Sequence, residues 1–119
     1  MAIREEAEAV EQTVPLTMQI PMLTFHDVAG FAEHEGLKFQ DAFVLLVSDG
    51  LKLGGLMYAE PASMMFDKKT NITVNVPLEV RDGMQQVSDM SEISLASAAV
   101  VLIDEGFRGG RTLERVRVR

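Results

Sequence analysis

Two short stretches of this chain place hydrogen-bonding side chains in strict alternation with apolar ones. In LTMQI (16–20), Thr17 and Gln19 separate Leu16, Met18 and Ile20, and in ITVNV (72–76), Thr73 and Asn75 separate Ile72, Val74 and Val76. Amides and hydroxyls of this kind suit base reading: Gln and Asn bond bidentately to the N6/N7 edge of adenine, and Thr offers a hydroxyl and a methyl that meets the thymine methyl. Pro15 and Asn71 flank the two sets. The plain alternative is a solvated strand face. Other chemistry is thin. Zero cysteines excludes a disulfide framework, a thiolate zinc site and a cysteine nucleophile. His26 and His34 are eight apart with no carboxylate spacing that builds a metal site, and they read as solvated helix histidines. Carboxylates are plentiful, yet none is singled out as an acid–base pair. FRGGR (107–111) is a lone glycine-rich tract that reads as a helix cap and hinge before a phosphate loop. No catalysis, metal, cofactor or small-molecule substrate is expected.

The elements that must carry these residues recur. Residues 16–55 laid over 72–111 match without a gap at an offset of 56, with identities at Thr17/Thr73, Pro21/Pro77, Ala42/Ala98, Val44/Val100, Leu46/Leu102, Gly50/Gly106 and Gly54/Gly110. Agreement in register through strand, turn and helix positions reads as a tandem duplication. Each copy opens with a half-buried strand, by its period of two, closed by Pro21 or Pro77. An amphipathic helix follows, with Val28, Phe31 and Ala32 inward in the first copy and Val80, Met84, Val87 and Met90 in the second. A break comes at Glu35-Gly36 and Ser91-Glu92. A second helix then begins near Lys38 or Ser94, the latter a good N-cap, and is expected to stop at Gly50 or Gly106 in a left-handed cap. That helix is apolar nearly all round, so it needs a second copy of the unit to cover it. AAVVLI (98–103) would pass for a buried strand alone, but FVLLVSDG (43–50) in the other copy favours helix.

Length and charge set the remaining bounds. The 119 residues make one compact domain or two small units sharing a core. No stretch approaches the ~20 apolar residues of a membrane helix, and the acidic start MAIREEAEAVEQT is unlike a signal peptide, so a soluble, cytoplasmic protein is expected. The sequon Asn71-Ile72-Thr73 then has no use. The net charge of −7 argues against a non-specific polyanion binder, but the tail RGGRTLERVRVR is basic. Its RVRVR end can pair as an added strand, lie along phosphates or remain solvated. Residues 56–70 must join the copies, and Leu56, Met57, Tyr58, Met64, Met65 and Phe66 make them no simple tether. They are expected to pack onto the core, with an exposed partner surface as the alternative.

Strand, helix, buried helix is where the chain resembles the ribbon-helix-helix superfamily, which includes the Arc and methionine repressors. The residues that carry the resemblance are TMQIP (17–21), AEHEGLK (32–38) and VSDGL (47–51), and then TVNVP (73–77), MSEISLAS (90–97) and IDEGF (103–107). In its two copies together it covers about two thirds of the chain. The resemblance implies a mainly α fold with a two-stranded antiparallel ribbon, the two copies forming a single-chain pseudo-dimer as in TraY-type members. The implied boundaries are an acidic extension (1–13), repeat 1 (14–55), a connector (56–70), repeat 2 (71–110) and a basic tail (111–119). It implies a transcriptional regulator or plasmid- or phage-type repressor that reads double-stranded DNA in the major groove. Thr17, Gln19, Thr73 and Asn75 would face the bases. Phosphates would meet Lys38 and Ser94 at the second helices, Lys68 and Lys69 before the second strand, and Arg115, Arg117 and Arg119 in the tail. Further self-association on DNA is in keeping with the family. The repeats are acidic and the strands carry no Arg or Lys, which is a departure from the family pattern. A scaffold that has lost DNA binding and serves as a protein-interaction module is therefore the second reading.

Overall fold

The computed structural model describes residues 12–55 and 57–111, with side chains placed through Gly109. Along the chain run β1 (Thr13–Pro21), α1 (Met22–Glu35), α2 (Phe39–Leu53), a short α3 (Ala62–Phe66), β2 (Lys69–Pro77), α4 (Leu78–Ser91) and α5 (Leu95–Glu105). A π-helical turn over Gly106–Arg111 ends the described part. The molecule is mainly helical, with one two-stranded antiparallel sheet among the described residues.

The alternation of apolar residues does what its period predicts. Met18, Ile20, Ile72, Val74 and Val76 are buried under the sheet, while Thr17, Gln19, Thr73 and Asn75 lie exposed on its outer face. Thr17 stands opposite Thr73, so β1 and β2 are centred on that pair, with Thr13 facing Pro77 at one end and Pro21 facing Lys69 at the other. Both strands start before their expected boundaries, because Thr13, Lys69 and Thr70 find partners in the ladder. Pro21 and Pro77 lack the N–H that would extend it, and each holds an extended backbone at the threshold of a helix. Just past them, Met22 N–H donates to the Lys68 carbonyl at 2.8 Å and Leu78 N–H to the Gln12 carbonyl at 3.2 Å.

A two-stranded ribbon is marginal by itself; here it is covered by helices. α2 and α5 make the most extensive helix–helix contact, with Phe43, Leu46, Val47, Val100, Leu102 and Ile103 all essentially buried. Gly50 and Gly106 do not act as the expected left-handed caps. α2 runs through Gly50 to Leu53, and Gly106 is right-handed (φ −61°, ψ −43°) and leads into the π-helical turn. Their role is close approach. A Cβ on Gly50 would collide with the backbone carbonyl of Leu102, and a Cβ on Gly106 with that of Leu46. Helix continuation also takes FRGGR out of the hinge role expected for it.

The first helices end as expected. Gly36 (φ 70°) and Glu92 (φ 57°) are both left-handed, with Leu37 N–H bonding back to the Ala32 carbonyl and Ile93 N–H to the Ser88 carbonyl. Met90, expected inward, is 48 % exposed. It falls about 100° around the helix from the Val80–Met84–Val87 stripe at 100° per residue. Ser88 is buried instead, its hydroxyl donating to the Ile93 carbonyl at 2.6 Å. The connector divides: Tyr58 and Met64 pack on the core, whereas Met57, Met65 and Phe66 stay largely exposed. Leu56 lies outside the described residues.

Candidate nucleic-acid interface

The outer face of the ribbon is a strip of hydrogen-bonding groups, uncharged except for Lys69 at the start of β2. Its centre is the Thr17–Thr73 pair, whose hydroxyls bond to each other at 3.0 Å. Gln19 lies opposite Asn71, and Asn75 opposite Pro15. Gln19 and Asn75 therefore sit two residues from the centre in opposite directions. Four strand residues at 3.3–3.4 Å each separate them by about 13 Å along the ribbon. Asn71 is exposed on the same face and adds a third amide, where the sequence pattern had marked it only as a flank.

Gln40 was not anticipated. It sits in the first turn of α2, and its side-chain Oε1 accepts the Asn75 backbone N–H at 2.7 Å. That bond ties the outward edge of β2 to the start of a helix and fixes the base of the Asn75 side chain. Because the contact joins elements 35 residues apart, no local periodicity marks it.

The two helix N-termini differ. At α5, Ser94 caps the helix: its Oγ accepts the Ser97 N–H at 3.0 Å while its hydroxyl donates to Ser97 Oγ. No acidic residue lies in that first turn, so the remaining backbone N–H groups keep the positive end of the helix dipole. At α2 the N-cap is Lys38, exposed and without a side-chain cap, and Asp41 follows in the first turn. Lys supplies a charge there and Asp41 offsets it. Lys68 is exposed and Lys69 is half-buried, its ammonium donating to the Asp67 carbonyl at 3.2 Å. Before β1 the corresponding residues are Gln12 and Thr13, so lysine charge stands at one end of the ribbon only. Arg115, Arg117 and Arg119 lie outside the described residues.

An open groove between α1 and the end of α5 is lined by His26, Asp27, His34, Asp104, Phe31 and Phe107. Phe31 and Phe107 meet edge to face at 5.7 Å. Burial pushes the Asp104 carboxyl above the usual carboxylate range; Asp27 and Glu105 push the same way and Arg108 opposes them. His34 meets Glu35 at 3.3 Å, and both histidines are exposed. Among the described residues no group of three His, Cys, Asp or Glu side chains is placed to hold a metal ion. No single described helix is long and apolar enough to cross a membrane. Comparison with protein-family models, curated proteins and solved structures finds no match to this chain.

Proposed function

We propose that the chain is a single-chain ribbon-helix-helix pseudo-dimer that binds double-stranded DNA in the major groove through the outer face of its ribbon. The observation that carries this reading is the ribbon itself. Two strands centred on Thr17 and Thr73, residues 56 apart in the sequence, bury their apolar faces and turn Gln19, Asn71 and Asn75 outward. A local two-fold axis through the threonine pair also relates the Met22–Lys68 and Leu78–Gln12 bonds, and the Gly50–Leu102 and Gly106–Leu46 approaches. The major groove admits a ribbon of this width. The ~13 Å between Gln19 and Asn75 is about four base steps at 3.4 Å, so two adenines that far apart are the expected contacts. Gln is one methylene longer than Asn, and Gln40 braces only Asn75, so the half-sites are similar without being identical. Phosphates would meet the N-termini of α5 and α2, Lys68, Lys69 and the tail arginines.

Selection of bound duplexes from a random pool across a salt series tests this. The expected result is an enriched motif whose affinity falls steeply with salt. Gln19→Ala then relaxes preference in one half-site and Asn75→Ala in the other, by ~1–3 kcal/mol each. Removing residues 111–119 shallows the salt slope by up to ~0.9 per lost phosphate contact and leaves the motif unchanged. If both alanine variants keep the wild-type motif and affinity, the ribbon is not the reading surface.

One observation favours the second reading, a protein-interaction module. Met65 and Phe66 on α3 are 61 % and 79 % exposed, and Met57 is 71 % exposed, an unusual amount of large apolar surface for one connector. No duplex retained at low salt, with a partner lost on Phe66→Ser, selects that reading.

A further inference from the structure

The two edges of the ribbon are unequally held. In an antiparallel pair, facing residues alternate between those that exchange both N–H···O bonds and those that exchange none. Asn75 gives its N–H to Gln40 Oε1 at 2.7 Å, and Pro15, which faces it, has no N–H to give. Asn75–Pro15 is therefore a pair without ladder bonds, and so, two and four residues along the strand, are Thr73–Thr17 and Asn71–Gln19. The Gln19 N–H thus points outward from β1 as the Asn75 N–H points outward from β2. α2 packs on β2, and α5 packs on β1. Gln40 is the second residue of α2 and Ala96 the second residue of α5, 56 positions apart. At one edge a glutamine carboxamide reaches the strand. At the other, an alanine methyl has no oxygen to offer.

We infer that Gln40 is a positioning residue for base reading, and that the Gln40/Ala96 difference makes the two half-sites unequal in stringency. The inference deepens the DNA reading proposed above and rests on it. Only the amide oxygen can accept an N–H, so the bond orients the whole Gln40 carboxamide. It ties the Asn75 backbone to a helix anchored in the core by Ala42, Phe43 and Leu46, all fully buried. An asparagine has two side-chain torsions, so the place of its amide follows closely from the place of its backbone. Gln19 has a third torsion and stands on the edge that Ala96 cannot hold. The shorter reader is thus on the braced backbone and the longer one on the free backbone. A reader held before binding loses less freedom on binding and adapts less to a wrong base. Asn75 is the stringent reader and Gln19 the tolerant one.

Amide hydrogen exchange in the free full-length protein and selection of bound duplexes from a random pool test this together. In the parent, the Asn75 amide should be protected about five- to tenfold more than the Gln19 amide, each relative to its intrinsic rate, as one net hydrogen bond implies. Gln40→Ala should remove that difference, and Gln40→Glu, which keeps an acceptor oxygen, should retain it. Ala96→Gln should slow the Gln19 amide by a similar factor. In the selection, Gln40→Ala should lower base preference at the Asn75 half-site by up to about tenfold and leave the Gln19 half-site as it was. Gln40→Glu should weaken all duplexes alike through its charge while keeping the preference, and Ala96→Gln should sharpen the Gln19 half-site. Equal protection of the two amides in the parent, a Gln19 amide unmoved by Ala96→Gln, or a Gln40→Ala motif identical to the parent's overturns the inference. So does loss of preference in Gln40→Glu equal to that in Gln40→Ala, which would make the Gln40 NH2 group a direct contact to DNA. A parent protein that enriches no motif refutes the DNA reading itself, and is told apart because the exchange difference between Asn75 and Gln19 then persists without any duplex bound.

Discussion

Residues 13–53 and 69–109 build the same succession of strand, helix and helix, and they agree most closely where the two halves cross. At the crossing the correspondence is close: Leu46 and Leu102 are both fully buried, Gly50 and Gly106 each lie against the other half's leucine backbone, and Pro21 and Pro77 both open a helix, whereas elsewhere in the core large answers to small, as Phe43 to Ala99. Outside, Gln40 answers to Ala96, Lys38 to Ser94, Gly36 to Glu92 and Ser48 to Asp104. Each pair at the crossing is constrained by the backbone it must touch, and the rest of a shared core changes by compensation between the halves. The outward pairs meet solvent, or a ligand, separately. Divergence across the two halves thus separates what the scaffold requires from what each half does by itself.

The largest effect expected from breaking the correspondence lies at the glycine crossing. Gly50→Ala sets a methyl against the Leu102 carbonyl, and Gly106→Ala one against the Leu46 carbonyl; backbone cannot yield as a side-chain tip does. Each should destabilise by about 3 kcal/mol, the upper end of ordinary overpacking. Gly30, in α1, has nothing within 4 Å of an added Cβ and is exposed. Gly30→Ala should stabilise by about 1 kcal/mol through helix propensity alone. Urea denaturation of the three variants checks both signs. A Gly50→Ala protein as stable as the parent would mean that the helices are not in backbone contact.

Helix ends come next, and there the two halves can be exchanged. Gly36→Ala forces a Cβ into left-handed backbone and should lose about 1 kcal/mol, whereas Glu92→Gly relieves the same strain and should gain a similar amount. Ser94→Ala removes the bond to the Ser97 N–H and should lose about 1 kcal/mol. Lys38→Ser gives α2 the cap it lacks, with an expected gain of about 0.5 kcal/mol. Thermal melts of the four proteins, compared in pairs, show whether the matching positions obey one rule.

Much of this frame was legible because it is periodic. The period of two in LTMQI and ITVNV set the buried and exposed faces of the ribbon, and the breaks at Gly36 and Glu92 followed from a helix that must turn back. The glycine crossing was misread for a physical reason. Glycine near a helix end serves a left-handed cap or a close approach equally well, and only the partner helix decides between them. Gln40 was invisible for the related reason that its bond to Asn75 is made across the fold. Met90 was misplaced by counting apolar residues without their angle round the helix. In the candidate interface, the exposure of Thr17, Gln19, Thr73 and Asn75 could be read from alternation. The mutual threonine bond could not, since it depends on register between strands 56 residues apart.

The smallest expected effect is electrostatic and concerns Asp104, where the first half has Ser48. The carboxyl lies at the end of α5 facing Asp27 and near Glu105, with the Arg108 guanidinium opposing them. Burial, more than these charges, raises its pKa in the folded protein above that of the unfolded chain. Between the two values the native state holds more of the proton than the unfolded state does. Stability from this group is therefore present below the ordinary carboxylate range and declines as pH rises through the raised value. The side chain is still partly open to solvent, so screening keeps the effect modest. Asp104→Ser copies the first half and removes the ionisation. Relative to the parent, this variant should gain stability as pH rises through the ordinary carboxylate range to the raised value and keep that gain above it, and the difference should shrink in high salt. Urea midpoints taken across that pH range check it. A difference independent of pH would show that Asp104 acts through packing and that its charge contributes nothing to the contrast between the halves.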